Sequence, residues 1–230
     1  MMQYIKDNLA AVKKELAAAS AARTKECCIL AAVKYAAPGE IEALLDAGVT
    51  DVGENRVQQL LENAPIYASR DVRVHFIGSL QTNKVKYIAD KVDMIHSLDS
   101  EKLAKEIEKR ATAADRVIDV LVEINVAREE AKTGVLPEEA EALCRAVLSL
   151  SHLRLRGFMT MGPIFDSEDA YRAYFKETVA IGDALWSTLS CSGKPLYSMG
   201  MSQSFAAAVK EGADFVRVGR RLFAGRPEQL

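Results

Sequence analysis

The sequence predicts an α/β fold, a single (β/α)8 TIM barrel with an additional N-terminal helix. Short apolar runs suited to strands buried on both faces alternate with helical patterns, and this unit occurs eight times. Parallel βα units with right-handed crossovers form either an open doubly wound sheet or a closed barrel, and eight units favour closure. No stretch between the units resembles an interdomain linker. We therefore expect residues 1–230 to form one barrel domain.

The additional helix is predicted at the N-terminus, where Ile5, Leu9, Val12 and Leu16 are three or four residues apart and form one apolar face. We expect this helix to pack as a lid. The eight predicted strands cover residues 27–33, 49–53, 72–77, 93–96, 117–126, 154–159, 195–198 and 214–218. The predicted helices cover residues 40–47, 100–111, 138–150, 168–189 and 202–210, and two more begin at 54 and 81.

The composition favours a protein with a small-molecule ligand. The 30 Lys and Arg residues nearly balance the 32 Asp and Glu residues, so the net charge of -2 predicts no general attraction to nucleic acid or anionic membranes. No apolar run has the length of a membrane span, and the four Cys residues form no metal-binding pattern. We therefore expect a cytoplasmic protein with reduced thiols and without a metal site.

Lys34 is the first candidate for the chemistry of the site. Ligands of such barrels bind at the C-terminal ends of the strands, and Lys34 follows the apolar run CCILAAV, whose direction would aim the amine into the barrel mouth. A neutral lysine amine can form an imine with an aldehyde, and burial favours the neutral form. The alternative is a lysine at the end of a strand that extends into water.

The last two βα units add two features that suit an anion. The segment YSMGMS, residues 197–202, begins a helix and offers backbone N–H groups and hydroxyls, and the loops after strands seven and eight are the usual phosphate site of this fold. Arg217 lies inside an apolar strand, where its charge needs a partner, either a ligand or a carboxylate such as Glu123. Together with Lys34, these features indicate a phosphorylated aldehyde.

Seven stretches carry a resemblance to a known family. They are VKY at 33–35, GENRVQ at 53–58, HFIGSLQTNK at 75–84, EEAKTG at 129–134, GFMTMGP at 157–163, SMGMS at 198–202 and VRVG at 216–219. In this order they resemble the pyridoxal 5′-phosphate (PLP) homeostasis protein family, whose members are PLP-binding barrels similar to the N-terminal domain of alanine racemase. The stretches span nearly the whole chain.

The resemblance implies a role for each matching residue. Lys34 would carry PLP covalently as an internal aldimine, and Arg217 would face the pyridine nitrogen. The phosphate would be surrounded by Ser198, Ser202, Gly219 and Arg220, the last two acting mainly through backbone N–H groups. The pocket would be lined by Asn55, Met161 and Met199, for which ordinary packing is the alternative. The sequence departs from the family at Arg220, where Thr is usual, at Ser204, where an acidic residue is usual, and at Ala131, where Ser is frequent.

The predicted function is to hold PLP as a lysine Schiff base for intracellular PLP supply, without catalytic turnover. An Arg at the pyridine nitrogen would keep it unprotonated and weaken carbanion stabilisation. Racemisation also needs an acid/base group on each face of the substrate. Alanine racemase takes the second group from a C-terminal domain, and we expect none here, because about a dozen residues follow the eighth strand.

Two alternatives use the same fold. One is a PLP-dependent amino-acid racemase of low activity in which Tyr35 or another pocket group is the second base, and the other is a Schiff-base aldolase that acts on a sugar phosphate.

The expected partners of a PLP carrier are PLP and apo forms of PLP-dependent enzymes, with neither nucleic acid nor a membrane, and we expect a monomer. Lys84 and Lys132 are possible second PLP acceptors. The three histidines lie on different units, so no His triad or metal cluster is predicted.

Overall fold

Eight parallel strands form a closed barrel in the computed structural model, which describes residues 2–21, 23 and 25–226. The strands are β1 Cys28–Ala32, β2 Asp51–Glu54, β3 Arg73–Phe76, β4 Met94–Leu98, β5 Ile118–Glu123, β6 Leu153–Met159, β7 Leu196–Met201 and β8 Phe215–Val218. Each strand pairs with the next one, and β8 pairs with β1, so the sheet has no free edge. The predicted barrel is confirmed.

Helices cover the outside of this barrel. They are α1 Gln3–Ala19, α2 Pro38–Asp46, α3 Val57–Ala68, α4 Glu101–Ala113, α5 Pro137–Leu148, α6 Glu168–Thr188 and α7 Phe205–Lys210, with a 3-10 helix at Thr82–Tyr87 between β3 and β4. The helix predicted from residue 81 is thus this short 3-10 helix, and the one predicted from residue 54 begins at Val57. Among the described residues, no helix is both long and apolar enough to cross a bilayer.

The N-terminal helix α1 belongs to the outer ring of helices. It packs against α2 and α7, with Ile5, Leu9 and Val12 buried, and the Asn8 amide donates hydrogen bonds to the backbone oxygens of Leu222 (3.2 Å) and Ala224 (2.8 Å). The prediction that α1 is a lid is wrong. After β8 the described chain forms only a turn, which leaves a gap in the ring, and the apolar face of α1 covers it.

The strands divide the interior into two regions, because successive side chains of a strand point to opposite faces. Ala31 and Val33 belong to the large core between the barrel and the helices. Leu30 and Ala32 alternate with them and pack with Ile77 inside the barrel. By the same alternation, the side chains at positions 30, 32 and 34 point to the inside of the barrel. The inside of the barrel opens at the C-terminal ends of the strands.

Candidate functional site

A cavity of about 570 Å³ opens at the C-terminal ends of the strands. Residues that follow β1, β2, β7 and β8 meet here because these strands are brought together by closure of the barrel. Seven of the nine site residues predicted from the sequence line it, namely Lys34, Asn55, Met161, Ser202, Arg217, Gly219 and Arg220. The cavity is where a barrel of this kind binds its ligand.

The lining of this cavity is strongly basic. Lys34, Arg217, Arg220 and Arg226 contribute side chains, and among the described residues no acidic side chain lines it. Arg226 was not predicted as a site residue, since it follows β8 in a segment without a recognisable motif. It donates two hydrogen bonds to the buried Glu40 at the start of α2, which attaches the end of the described chain to the cavity rim. This charge suits an anionic ligand.

Lys34 lies at the mouth of the cavity. The strand β1 ends at Ala32, and Lys34 is in the turn that follows, so its side chain is exposed instead of buried as we expected from the apolar run. Its Nζ is 5.9 Å from the centroid of the Tyr35 ring. Tyr35 also lines the cavity, has a positive φ of 74° and is 66% exposed, and its backbone oxygen accepts a hydrogen bond from Arg226 (2.9 Å).

Arg217 is buried on β8 below this lysine. Its guanidinium donates to the backbone oxygen (2.7 Å) and hydroxyl (2.8 Å) of Ser198 and to the backbone oxygen of Thr160 (2.8 Å). Burial lowers its pKa to about 10, partly offset by the charge of Glu123, so the group remains a cation at neutral pH. The Glu123 carboxylate accepts a hydrogen bond from Thr133 (2.8 Å), and the salt bridge to Arg217 that the sequence left open is not among the ion pairs of the described residues.

The loops after β7 and β8 approach each other closely on one wall of the cavity. The Gly219 N–H donates to the hydroxyl of Ser202 (3.3 Å), and a Cβ at position 219 would lie 3.0 Å from the backbone oxygen of Ala32. Ser204 is buried and accepts a hydrogen bond from the Met201 N–H (3.1 Å). This hydrogen bond closes the turn before α7.

Ser198 and Met199 do not line the cavity. Ser198 is completely buried below it and contacts Arg217, and Met199 is completely buried in the core between the barrel and the helices. The alternation of β7 turns Met199 outward, and the register of β7 against β8 shifts between Ser198 and Met201, so that Met201 lines the cavity instead. Met199 is thus a packing residue, and direct contact between the Ser198 hydroxyl and a phosphate is not expected.

Asn55 supplies evidence that the cavity is built for a ligand. Its Oδ1 is buried and has no hydrogen-bond partner among the described residues, although Asn55 lines the cavity. A buried acceptor without a donor is costly and calls for an explanation. A ligand that carries a hydroxyl or another donor would satisfy this atom. PLP has an aldehyde, a phenolic hydroxyl and a phosphate, so the residues present fit this group.

Two of the three histidines are joined to each other inside the barrel, which was not predicted. The Nδ1 atom of His75 is 2.8 Å from the Nε2 atom of His96. His152 lies elsewhere and contacts Glu108 (3.0 Å). These two buried histidines lie on the neighbouring strands β3 and β4 and point into the barrel. In the sequence, only the alternation of inward and outward residues along each strand indicated that they point inward. No group of described residues that could hold a metal ion is found.

Lys84 and Lys132, the possible second acceptors, do not line the cavity. Lys84 borders a neighbouring groove, with its Nζ 5.9 Å from the Tyr87 ring centroid. Lys132 forms an ion pair with Glu129 (2.6 Å). Neither contact brings an amine to the basic cavity, and among the described residues Lys34 is the only lysine that lines it.

The barrel and its basic, lysine-bearing cavity are those of a barrel protein that binds an anionic small molecule at the C-terminal ends of its strands. Over residues 4–227 the chain matches the family model described as alanine racemase, N-terminal domain. It is 42% identical over 207 residues to the pyridoxal phosphate homeostasis protein of Aquifex aeolicus, covering 90% of both chains. It is 34% identical to that of Pseudomonas aeruginosa, covering 98% of this chain and 97% of the relative. The chain belongs to the pyridoxal phosphate homeostasis protein family.

A solved structure agrees with this membership. PipY of Synechococcus elongatus PCC7942, determined with PLP bound, superimposes with a TM-score of 0.85 at 26% sequence identity. The match covers 96% of this chain and 100% of the PipY chain. The similarity therefore extends over the whole barrel and includes the strands whose ends form the cavity.

Proposed function

We propose that this protein binds PLP as a Schiff base with Lys34 and serves intracellular PLP homeostasis and supply. The observation that carries the proposal is the amine of Lys34 at the mouth of a cavity lined by three arginines and by no acidic side chain among the described residues. The names of the relatives and the PLP bound to PipY support the choice of ligand. The amine would condense with the aldehyde to an imine and release water.

The remaining residues of the cavity have separate roles in this proposal. Ser202, Gly219 and Arg220, which line the cavity, would hold the phosphate, and the unpartnered Oδ1 of Asn55 would accept a hydrogen bond from the ligand. Arg217 would face the pyridine nitrogen, where a guanidinium that remains protonated favours an unprotonated ring. Met161 supplies part of the apolar wall.

A pyridine nitrogen held in this way favours storage over turnover, because an unprotonated ring is a weak electron sink. We therefore propose a carrier that protects a reactive aldehyde and passes it to apo forms of PLP-dependent enzymes. The proposal includes a cytoplasmic monomer in which residues 1–230 form one domain.

The direct test uses the purified protein with added PLP. We expect a visible absorption band of a lysine imine and, after borohydride reduction, a stable adduct on the peptide that contains Lys34. Peptide mass spectrometry locates the adduct. Reduction that leaves this peptide unmodified, or that modifies only other lysines, contradicts the proposal.

The second candidate function is a racemase of low activity, and one observation favours it. Tyr35 lines the cavity beside Lys34 and is exposed, so its hydroxyl can approach a substrate. For a carrier, we expect no enzyme-dependent incorporation of solvent deuterium at the α-carbon of amino acids. NMR of several amino acids incubated with the PLP-loaded protein measures the exchange. Exchange with turnover that Tyr35→Phe removes would favour the racemase.

A further inference from the structure

A continuous chain of buried polar groups crosses the barrel interior and ends at Arg217. The Asp51 carboxylate is 3.0 Å from Nε2 of His75, Nδ1 of His75 is 2.8 Å from Nε2 of His96, and Nδ1 of His96 is 2.8 Å from the Ser198 hydroxyl. The Ser198 hydroxyl accepts a hydrogen bond from Arg217 (2.8 Å). All five residues are buried.

This chain connects the two ends of the barrel. Asp51 is the first residue of β2, at the N-terminal end of the strands, whereas Arg217 lines the cavity at the C-terminal end. Phe215 packs against both imidazole rings, with 5.4 Å between its centroid and each of theirs. Packing against an aromatic ring and the complete burial of both imidazoles keep water from competing for the hydrogen bond between the two histidines.

The charges of these hydrogen-bonded groups decide in which direction each group donates its proton. Burial alone would raise the pKa of Asp51, but hydrogen bonds from His75 and Thr50 hold it far below its usual range, so Asp51 is an anion. Complete burial holds the pKa of His96 well below its usual range, so His96 is neutral. Arg217 donates to Ser198, and each following group can donate in turn, through His96 and His75, to the carboxylate.

The opposite direction leaves a proton without an acceptor. In that order Nδ1–H of His96 would donate to the Ser198 hydroxyl, which already accepts from Arg217. The hydroxyl proton would then need a third partner, and the hydrogen bonds of the described residues offer none. Since an unsatisfied buried donor is costly, the order that runs from Arg217 to Asp51 is preferred.

We propose that Asp51, His75, His96 and Ser198 are positioning residues, an ordered chain that connects a carboxylate at the barrel floor to Arg217 and fixes its guanidinium in the cavity. Arg217 uses three of its donors on Ser198 and Thr160. A guanidinium has five, so two remain for the cavity. The effect of the chain on PLP rests on the proposed function, whereas its proton order does not.

The first test measures proton order by nitrogen-15 NMR of the imidazoles in the protein without added PLP. We expect both His75 and His96 to be neutral, with the proton on Nε2, because each donates towards Asp51. His152, which contacts Glu108, supplies a separate signal for assignment. A proton on Nδ1 of His96, or a doubly protonated His75, overturns the proposed order. Because no PLP is used, this result is independent of the proposed function.

The second test breaks the chain at the end remote from the cavity. We expect Asp51→Asn, which removes the charge and retains the shape, to weaken PLP retention about tenfold through Arg217 and to shift the visible band. The matched control is Asp119→Asn, because Asp119 also lies near the start of its strand beside arginines but outside the chain. Absorbance titration with PLP measures both. If the wild-type protein binds PLP and Asp51→Asn binds it equally with the same band, the proposed coupling is wrong.

A second pair of variants covers a failure of Asp51→Asn to fold. Ser198→Ala removes the link between His96 and Arg217, and Ser198→Thr retains the hydroxyl. We expect the alanine variant to change the Nδ1 signal of His96 and the threonine variant to restore it. An unchanged His96 signal in the alanine variant overturns the proposal. Absence of PLP binding by the wild-type protein would refute the proposed function alone.

Discussion

Lys34→Ala is expected to abolish the covalent PLP adduct completely. The imine needs a primary amine, and Lys34 is the amine that lines the basic cavity, whereas Lys84 and Lys132 lie outside it. The arginines and Asn55 remain in the variant, so we expect PLP still to bind without a covalent bond and more weakly. The visible imine band should be absent, and borohydride reduction should leave no stoichiometric adduct.

Lys34→Arg is the matched variant for this experiment. It keeps the positive charge at the cavity mouth but cannot form the imine, so it separates the covalent bond from charge attraction. We expect it to lack the adduct and to retain more PLP by equilibrium dialysis than Lys34→Ala does. An adduct of unchanged stoichiometry in either variant would refute the assignment to Lys34. Single substitutions of Lys84 and Lys132 in the wild-type chain then show whether they accept PLP during transfer.

Gly157→Ala is expected to destabilise the barrel by about 4 kcal/mol or more, which is among the largest effects of a single substitution. Gly157 lies in β6 with a φ of +148°, and an added Cβ would be 2.1 Å from the backbone oxygen and 2.4 Å from the backbone nitrogen of Leu196. Both atoms belong to the neighbouring strand β7. Because the barrel is closed, β7 cannot move aside as an edge strand could. Urea unfolding monitored by circular dichroism measures the loss.

Gly193→Ala is the control for backbone conformation. Gly193 also has a positive φ, +72°, but apart from its chain neighbours no atom of the described residues lies within 4 Å of the position of its Cβ. We expect the free energy of unfolding of this variant to fall by only about 1–2 kcal/mol, which is the cost of a left-handed conformation for a residue with a Cβ. Equal losses for the two variants would show that the close approach of β6 and β7 is not what requires Gly157.

The alternation of apolar runs with helical patterns was sufficient to predict the barrel, because a strand buried on both faces and an amphipathic helix each have a local pattern. The same alternation could not predict the place of α1. Its apolar face showed that it packs against something, but only closure of the barrel shows the gap beside α7 and α2 that it covers. The helix predicted from residue 81 became a 3-10 helix, since helix ends and types depend on packing as well as on pattern.

In the candidate site, too, some features follow from the sequence pattern and others depend on the tertiary structure. Lys34, Ser202, Arg217 and Gly219 follow strand ends, and strand ends of a parallel barrel meet on one face, so their meeting was predictable. Met199 lies in the core between the barrel and the helices and does not line the cavity, because a motif gives the neighbourhood of a residue, whereas the alternation and register shift of β7 decide the direction of its side chain. Arg226 was missed because its place depends on a contact with Glu40, 186 positions away in the chain.

By itself, the sequence determined the class of fold, the end of the barrel that binds a ligand and the amine at that end. These properties depend on local periodicity and on the chain direction of parallel strands. Only the tertiary structure decided which inward-facing side chains touch. His75, His96 and Ser198 lie on three different strands, and their hydrogen bonds require the register of each strand and the closure of the barrel, neither of which a local pattern contains.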